Sequence, residues 1–479
     1  MKEAGVVSRA SGVGRQIWSK ITKGRPGSIV WGTVAVCAAL LASSSPAMAQ
    51  AGRLDATFGV GGVFTDTAGV LGTAVAVQSN GKIVVGGEVG FEAAVLRLNA
   101  NGALDSTFGS GGAASITFPG DLFDGAQVVG LAIQSDGKIV AGISNFNQGF
   151  GPFFLLARLN ANGSLDSTFG SGGVVETQIG LVGGSFGGVA SVLALQPDGK
   201  ILLAGENAEP EGTSGAIARY DANGQLDNTF GSGGIVATPV AAPTAIALQP
   251  DGKILLASGG TVVAFDATNP GVSLNQVAGT VSRYNSNGSL DTSFGISGQV
   301  ASVAAAGAIV VEKDGVCSST CKIVVAGTVT TSLNINNGNG FGFGVIRYNT
   351  DGTVDRTFGQ AGAASTSFTP SEPDAAPFAL AIQSNGDILA AGTAGQPGNP
   401  VFVAQADFAL ARYTAGGVAD TTFGSSGEVT TAFGTNQAAI YGLALQSDGK
   451  IVAVGGSLQN LQNSGGKAGG IVVARYLGQ

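Results

Sequence analysis

The chain has 479 residues, of which 80 are Gly and none is His, with 11% charged residues, 44% hydrophobic residues and a formal net charge of −8. The absence of His excludes Ser-His-Asp and Cys-His catalytic arrangements and imidazole metal sites. The chain is too apolar to be disordered and too poor in Glu, Lys and Met to be an ordinary helical enzyme. Abundant Gly, Val, Ala and Thr predict an all-β fold with many turns.

Residues 1–49 have the order of a secretory signal peptide. Basic residues come first, among them Arg9, Arg15, Lys20, Lys23 and Arg25. An apolar run over residues 29–42 and the small-x-small sequence Ala47-Met48-Ala49 follow. The run is shorter than the roughly 20 residues with which a helix crosses a bilayer, so cleavage at Ala49 is predicted and an uncleaved anchor is the alternative. We therefore expect a secreted or periplasmic protein with no membrane insertion after cleavage.

The mature chain is strongly acidic. Removal of residues 1–49 leaves 17 basic and 30 acidic residues, which is a net charge of −13. Such a surface repels phosphate backbones, so no nucleic acid partner is expected.

A repeat of 61 to 65 residues organises the chain after residue 50. One half of its motif reads Leu-Asp-x-Thr-Phe-Gly and begins at Leu54, Leu104, Leu165, Leu226, Leu290, Val354 and Ala419. The other half is an Arg at positions 97, 158, 219, 283, 347, 412 and 475. Such a period is typical of repeat architectures. The Arg and the Asp eight residues after it are expected to pair, and the Phe is expected to pack as a wedge between repeats.

Each repeat contains four strand-like segments, which are clearest at residues 173–177, 190–196, 200–205 and 216–220. Asn-Gly or Asp-Gly joins the second and third segments at residues 80–81, 136–137, 198–199, 251–252, 314–315, 385–386 and 448–449. This dipeptide between β-prone runs predicts a hairpin turn whose two central residues both have positive φ. The second segment, as in Val192-Leu193-Ala194-Leu195, is apolar throughout, so burial on both of its faces is expected.

These features predict a seven-bladed β-propeller of four-stranded antiparallel blades over residues 50–479, because blades in a radial array cover each other's faces. The blades are expected at about residues 60–102, 110–163, 171–224, 232–288, 296–352, 360–417 and 425–477. The chain begins with a motif copy that has no blade before it and ends with an Arg segment that has no motif after it. Residues 52–59 are therefore expected to dock on the last blade and close the ring.

With these motifs the chain resembles the delta-60 repeat family, whose members carry Leu-Asp-x-Thr-Phe-Gly and Gln-x-Asp-Gly-Lys-Ile at this spacing. The resemblance covers residues 52–479 and implies a β-propeller of unknown function, with no catalytic residue assigned. Departures from the pattern are few; among them, Val354 and Ala419 replace Leu, Asp387 replaces the turn Lys, and Glu312 replaces Gln.

Metal binding and catalysis have few candidates. Residues 349–355 have the spacing of the calcium loops in integrin-type propellers, but Arg347 holds the first ligand position and favours a guanidinium over a bound cation. Calcium is the alternative there; otherwise no cofactor, metal site or catalytic residue is predicted. The acids that do not repeat are the candidates for acid and base chemistry, although solvated loops are the favoured interpretation; they are Asp121, Asp124, Glu206, Glu209, Glu211, Glu372 and Asp374.

Cys317 and Cys321 lie in an expansion of the fifth hairpin. In an oxidising compartment a disulfide that closes this small loop is favoured over a metal site or a redox site.

The loops between the first and second strands and between the third and fourth strands of each blade share one face, and nearly all variation in loop length falls there. We name it the loop-rich face. Varied loops on a rigid scaffold are where binding usually resides. The residues expected to bind a ligand are Asp121, Phe123, Asp124, Asn145, Phe146, Phe150, Glu206, Glu209 and Glu211.

The function predicted from these observations is an exported, non-catalytic binding or scaffolding module that acts through the loop-rich face. A glycan or an envelope or extracellular protein is the expected partner. One alternative is a carboxylate-dependent glycan hydrolase or lyase, which requires unpaired acids clustered near the ring axis. A second alternative is a structural envelope protein without a ligand.

Overall fold

The computed structural model describes residues 50–67, 69–90, 92–118, 125–145, 153–179, 189–209, 212–239, 243–259, 279–302, 305–312, 321–330, 341–368, 374–395, 406–433, 437–458 and 470–479. Within these ranges the chain forms 28 strands and no helix, which confirms the all-β prediction. The predicted signal peptide lies outside them, so it remains a prediction.

Four sheets contain four antiparallel strands each, paired in chain order. The first comprises β2 Gly69–Val77, β3 Ile83–Val89, β4 Glu92–Leu98 and β5 Ala113–Ser115. The second comprises β6 Ala126–Ile133, β7 Ile139–Asn145, β8 Phe153–Leu159 and β9 Val174–Gln178. The third comprises β10 Val189–Leu195, β11 Ile201–Glu209, β12 Gly212–Tyr220 and β13 Ile235–Thr238. The fourth comprises β14 Pro243–Leu248, β15 Ile254–Ser258, β16 Thr280–Tyr284 and β17 Gln299–Ala301.

The remaining 12 strands form one mixed sheet, so the prediction of separate four-stranded sheets does not describe this part of the chain. Its strands are β18 Ala305–Val311, β19 Ile323–Thr330, β20 Phe341–Tyr348, β21 Ala363–Thr366, β22 Asp374–Ile382, β23 Ile388–Gly395, β24 Ala406–Tyr413, β25 Glu428–Thr431, β26 Gln437–Leu445, β27 Ile451–Leu458, β28 Ile471–Tyr476 and β1 Val63–Asp66. Two single-residue parallel pairings, Phe341 with Asp374 and Ala406 with Gln437, join three antiparallel groups of four strands.

The hairpin turns differ from the predicted type. In the first hairpin, Gln78 donates its N–H to the Lys82 carbonyl and Gly81 donates to the Gln78 carbonyl, so the loop has three residues. Gly81 has a φ of +80°, whereas Asn80 is not among the residues with positive φ. The prediction of two such residues is therefore wrong, because a type I turn followed by one left-handed Gly makes the turn. The Asn80 side chain accepts the Lys82 N–H at 3.0 Å instead.

Burial also differs from the prediction for the second segment of each predicted repeat. In the structure this segment is the first strand of its sheet, because the predicted first segment pairs with the preceding sheet, as β9 does with β8. In β6, fully buried and half-buried residues alternate, and the half-buried set includes Gln127, Val129 and Leu131. Middle strands are the ones covered on both faces: β23 and β28, which lie between two partners in their groups, are buried at every residue. The apolar first strand therefore covers the core with one face and leaves the other partly open.

We name β2, β6, β10, β14, β18, β22 and β26 the inner strands. Each contacts the next in this order, and β26 contacts β2. The hydrophobic clusters between the sheets draw on neighbouring repeats; one of them joins Ile83 and Leu96 to Val452 and Val473.

A buried Arg contact, which we name the clasp, recurs in every repeat. The Arg Nε or Nη2 lies 2.7 to 2.9 Å from an Asp carboxylate, which confirms the predicted pairing. The guanidinium carbon lies 4.5 to 4.8 Å from the centroid of a Phe ring that is fully buried. The three partners are Arg97, Asp105 and Phe108 in the first repeat, for example.

The clasp also connects each repeat to the next one. Arg97 donates from Nη1 to the Ala161 carbonyl, and Arg347 donates in the same way to the Ala415 carbonyl at 2.7 Å. The motif Phe lies against the next repeat as well: a Cβ on Gly102 would stand 2.9 Å from the Phe58 ring. The prediction of a Phe wedge between repeats is therefore confirmed.

The two ends of the described chain meet in one clasp. Asp55 pairs with Arg475 at 2.8 Å, and Phe58 lies under the same guanidinium. Strand β1 pairs with β28 from Val63 opposite Ala474 to Asp66 opposite Ile471. The amino-terminal segment thereby supplies the fourth strand of the last group.

We predict that Asp55→Ala lowers the free energy of unfolding by about 3 to 5 kcal/mol, because it leaves the buried Arg475 charge without its carboxylate. Asp227→Ala is the matched control, since it breaks an equivalent clasp in the middle of the chain. Chemical denaturation measures both losses.

Hydrogen exchange separates the two variants. Only Asp55→Ala is expected to speed amide exchange in β1, because only that clasp holds a chain end. Equal protection of β1 in both variants would contradict a special role for the terminal clasp.

Candidate functional site

Most residues predicted to bind a ligand lie outside the described ranges. This applies to Asp121, Phe123, Asp124, Phe146, Phe150 and Glu211. Glu209 is the last residue of β11, Glu206 is half-buried in the same strand, and Asn145 is half-buried at the end of β7. None of these three lines the axial cavity described below. The predicted set is therefore not brought together within the described part of the chain, and its role remains a prediction.

Two further predicted features can be located in part. Asp374 is buried as the first residue of β22, so it does not lie in a solvated loop, and Glu372 is outside the described ranges. Cys321 is buried and disulfide-bonded. Cys317 lies outside the described ranges, so its identity as the partner remains a prediction.

The repeating Asp residues have donors on both carboxylate oxygens. Asp55 Oδ1 accepts the N–H and hydroxyl of Thr57 at 3.0 and 2.6 Å, while Oδ2 faces Arg475 and Lys450. Burial raises the pKa of Asp55, but the Thr57 hydrogen bonds and the two cations outweigh it and lower the pKa to about 2. Asp105, Asp166, Asp227, Asp291, Asp355 and Asp420 likewise have a lowered pKa.

The loop considered for calcium contains two carboxylates that already have donors within the protein. Asp355 pairs with Arg347 and Lys322, and Asp351 accepts the N–H and hydroxyl of Thr353. Within the described ranges no group of three or more Cys, Asp or Glu side chains is placed to hold a metal ion. The described residues also include no helix that is long and apolar enough to span a membrane.

The sixth repeat departs from the shared cation arrangement. In the other repeats a hairpin Lys reaches the clasp Asp at 2.7 to 3.4 Å. Asp387 stands at that position, and its N–H still bonds to Asn385 Oδ1 at 3.1 Å, as the Lys N–H does elsewhere. The backbone is therefore unchanged while the local charge is reversed beside Asp420.

A cavity of about 770 Å³, which we name the axial cavity, lies among the inner strands. It borders the inner strands along, for example, residues 73–75 of β2 and 441–443 of β26. Seven aliphatic residues line it at equivalent positions, namely Val75, Leu131, Leu193, Ile246, Ile309, Leu380 and Leu443. A second set stands two residues earlier: Thr73, Val129, Ser191, Thr244, Gly307, Phe378 and Tyr441. Among the described residues, no charged side chain lines the cavity.

The polar groups of the cavity are hydroxyls and one amide. Thr244 donates its hydroxyl to the Ala306 carbonyl at 2.7 Å, and Thr73 donates to the Val128 carbonyl, so both oxygens keep lone pairs as acceptors. Gln127 contributes the amide. Phe378 and Tyr441 stack with ring centroids 5.4 Å apart and an interplanar angle of 25°. Burial raises the pKa of the Tyr441 phenol, which keeps it protonated.

The arrangement can bind an uncharged molecule of small or moderate size. Pockets for such ligands have volumes of about 300 to 1,000 Å³ and combine apolar walls with a few polar groups. Sequence reasoning missed this site because it read the inner strand as buried on both faces. One sequence signal could have indicated the site. Five residues before the hairpin Gln, the side chain is polar in some repeats, aliphatic in one and aromatic in others.

The family described as "Domain of unknown function (DUF5122) beta-propeller" matches residues 78–108, 134–169, 196–230, 249–294, 322–358 and 383–423. No curated protein is significantly similar to the chain in sequence.

Solved structures that are similar include a gluconolactonase from Xanthomonas campestris, with 11% identity, coverage of 89% of this chain and 97% of that chain, and a TM-score of 0.37. The PQQ-bound aldose sugar dehydrogenase from Streptomyces coelicolor has 13% identity, coverage of 86% and 98%, and a TM-score of 0.35. Drosophila Plexin A in complex with Semaphorin 1b has 11% identity, coverage of 89% and 88%, and a TM-score of 0.41. Similarities this distant carry no inference about activity.

We predict that acid unfolds the protein through its clasps. The pKa of Asp55, Asp291 and Asp355 is lowered from 3.8 to about 2 by folding, so their stabilising effect is complete above pH 4 and is lost as the pH falls towards 2. The thermal midpoint should change little from pH 8 to about 5 and drop steeply below about 4. Calorimetry across this range measures it, and a constant midpoint down to about pH 2.5 would contradict the interpretation.

Asp387→Lys should stabilise the sixth repeat, because it restores the cation beside Asp420. The expected gain in the free energy of unfolding is about 0.5 to 1 kcal/mol, as for a partly exposed ion pair. Asp387→Ala is the control that removes the carboxylate without adding an amine. Equal free energies of unfolding for Asp387→Lys and Asp387→Ala in chemical denaturation would show that the new ion pair adds no stability.

Proposed function

Because the chain is a β-propeller built from repeats of a family of unknown function, we propose that it is a non-catalytic binding module that takes an uncharged ligand from its loop-rich face into the axial cavity. The Leu-Asp-x-Thr-Phe-Gly motif supports the delta-60 repeat as the structural unit. Scaffolding of a glycan or an envelope protein is compatible with the same face, since varied loops on a rigid scaffold are where binding usually resides.

Seven blades are part of this proposal. The order of contacts among the inner strands, which returns from β26 to β2, supports a closed ring of seven. The pairing of β1 with β28 and of Asp55 with Arg475 supports closure by the amino-terminal segment. Export is the third part, and the disulfide at Cys321 supports an oxidising compartment.

The single observation that carries the function is the uncharged lining of the axial cavity. Glycoside hydrolysis by the usual route needs a pair of carboxyl groups on either side of the scissile bond. The cavity presents none among its described residues, and the repeating Asp residues are engaged by Arg, Lys and Thr at the clasps. A charged ligand would also lose its hydration without gaining a partner, so a neutral ligand fits best.

The test is binding of N-phenyl-1-naphthylamine, an uncharged fluorescent probe, to the mature chain. We expect one saturable site per chain, and Ser191→Trp should weaken binding at least tenfold because the indole fills the cavity. Ser232→Trp is the control, since Ser232 is exposed in a turn away from the inner strands. Equal binding by both variants would exclude the axial cavity as the site.

A parallel assay separates binding from catalysis. The mature chain should release no product from neutral or uronic acid oligosaccharides. Product release that is lost on replacing Asp121, Asp124, Glu209 or Glu211 would favour the hydrolase or lyase instead.

A further inference from the structure

Every inner strand carries a β-bulge at the same position. The register between inner strand and hairpin partner skips one residue at this position in each repeat, and β2 has a second shift between Gly69 and Leu71. The skipped residues are Thr73, Val129, Ser191, Thr244, Gly307, Phe378 and Tyr441, which we name the bulge ring. All of them line the axial cavity. At a bulge, the extra residue is not paired in the hydrogen-bond ladder and its side chain changes direction. The side chains of the bulge ring can therefore face the cavity.

The bulge ring is chemically varied where its surroundings are uniform. Two residues after each bulge an aliphatic side chain is present in every repeat, as with Val75 and Leu443. The bulge itself accepts an aliphatic residue at Val129 and no side chain at Gly307. The backbone therefore does not require a hydroxyl or an aromatic ring at this position. The identities of Phe378 and Tyr441 need another explanation.

The aromatic and the polar side chains of the lining are not distributed evenly around the cavity. Phe378 and Tyr441 come from the adjacent strands β22 and β26 and form a stacked pair. In the order of contacts, β10 and its neighbours β6 and β14 lie across the cycle from them and contribute Ser191, Gln127 and Thr244. One side of the cavity thus carries the two stacked rings, and the side across from it carries hydroxyl and amide groups; Thr73 on β2 adds a hydroxyl next to β26.

A neutral sugar matches these two sides. The faces of aromatic rings are electron-rich and attract polarised C–H groups, which a pyranose presents on its flat face. The sugar hydroxyls need hydrogen-bond partners when they leave water, and hydroxyl and amide groups supply both donors and acceptors. A uronic acid would bring a carboxylate into a site with no opposing cation among the described lining residues.

We propose that the bulge ring selects a neutral saccharide, whose C–H face packs on Phe378 and Tyr441 while its hydroxyls meet Gln127, Ser191 and Thr244. This inference rests on the proposed function, because it assumes that the axial cavity is the binding site. It adds the ligand class and the specificity-determining residues.

The experiment measures displacement of N-phenyl-1-naphthylamine from the mature chain by cellotriose, maltotriose, xylotriose and chitotriose, with trigalacturonate as the anionic comparison. We expect at least one neutral trisaccharide to displace the probe, and trigalacturonate to do so at least tenfold less well. Isothermal titration of the displacing sugar gives its affinity directly.

Two substitutions exchange residues that the ring already contains. Phe378→Val reproduces the side chain of the second repeat, and Tyr441→Thr reproduces that of the first, so folding should be retained. Each should weaken the neutral trisaccharide at least tenfold. Val60→Thr is the control, because Val60 is 89% exposed in a turn, and it should leave the affinity unchanged. Thermal midpoints confirm that all three variants are folded.

Three results would overturn the inference: no neutral trisaccharide displaces the probe, trigalacturonate binds as tightly, or both ring variants keep full affinity. In each of these three cases, the axial cavity remains the proposed binding site if the probe still binds and Ser191→Trp still weakens its binding. If the probe itself does not bind, the proposed function fails first.

Discussion

In each repeat the Arg guanidinium contacts a carboxylate, a Phe ring and a backbone carbonyl of the next repeat. The need to place these three partners constrains how the repeats are arranged. Arg97 pairs with Asp105, stacks on Phe108 and donates to the Ala161 carbonyl of the next repeat. Burying a charge costs several kcal/mol unless its hydrogen bonds are satisfied, so the three partners must be placed accurately. Because one of them belongs to the following repeat, satisfying the Arg also fixes the position of the neighbour.

The clasp connects the repeats without using a residue of the inner strand. The two middle strands of each sheet or group supply the covered layers, as β23 and β28 illustrate, and the clasp connects the repeats near their hairpin ends. The inner strand contributes one buried face and turns the other to the axial cavity. At its bulge the inner strand has Val129 in one repeat and Gly307 in another, so the bulge forms with different side chains.

Much of the fold was predictable because the same motif spacing recurs in every repeat and indicates the same contacts each time. The pairing of Arg219 with Asp227 and the burial of Phe230 follow from a spacing that recurs along the chain. The turn type was mispredicted because Asn-Gly suits both a two-residue and a three-residue loop, and only the observed register distinguishes them. The burial of the inner strand was mispredicted because aliphatic residues facing a cavity and facing a core look alike in sequence. The site was missed because a one-residue bulge does not alter an apolar pattern, and the predicted loop residues lie outside the described ranges.

The departures from symmetry are concentrated in the last three repeats. Their sheets are joined at Phe341 with Asp374 and at Ala406 with Gln437, whereas the first four sheets are separate. Each junction lies four residues before an aromatic member of the bulge ring, Phe378 or Tyr441. The two strands that carry the stacked pair are therefore tied to the preceding repeat at their loop-face ends, which limits their movement. A platform held in place before the ligand arrives loses little entropy on binding, so the asymmetry of the sheet and that of the cavity serve one purpose.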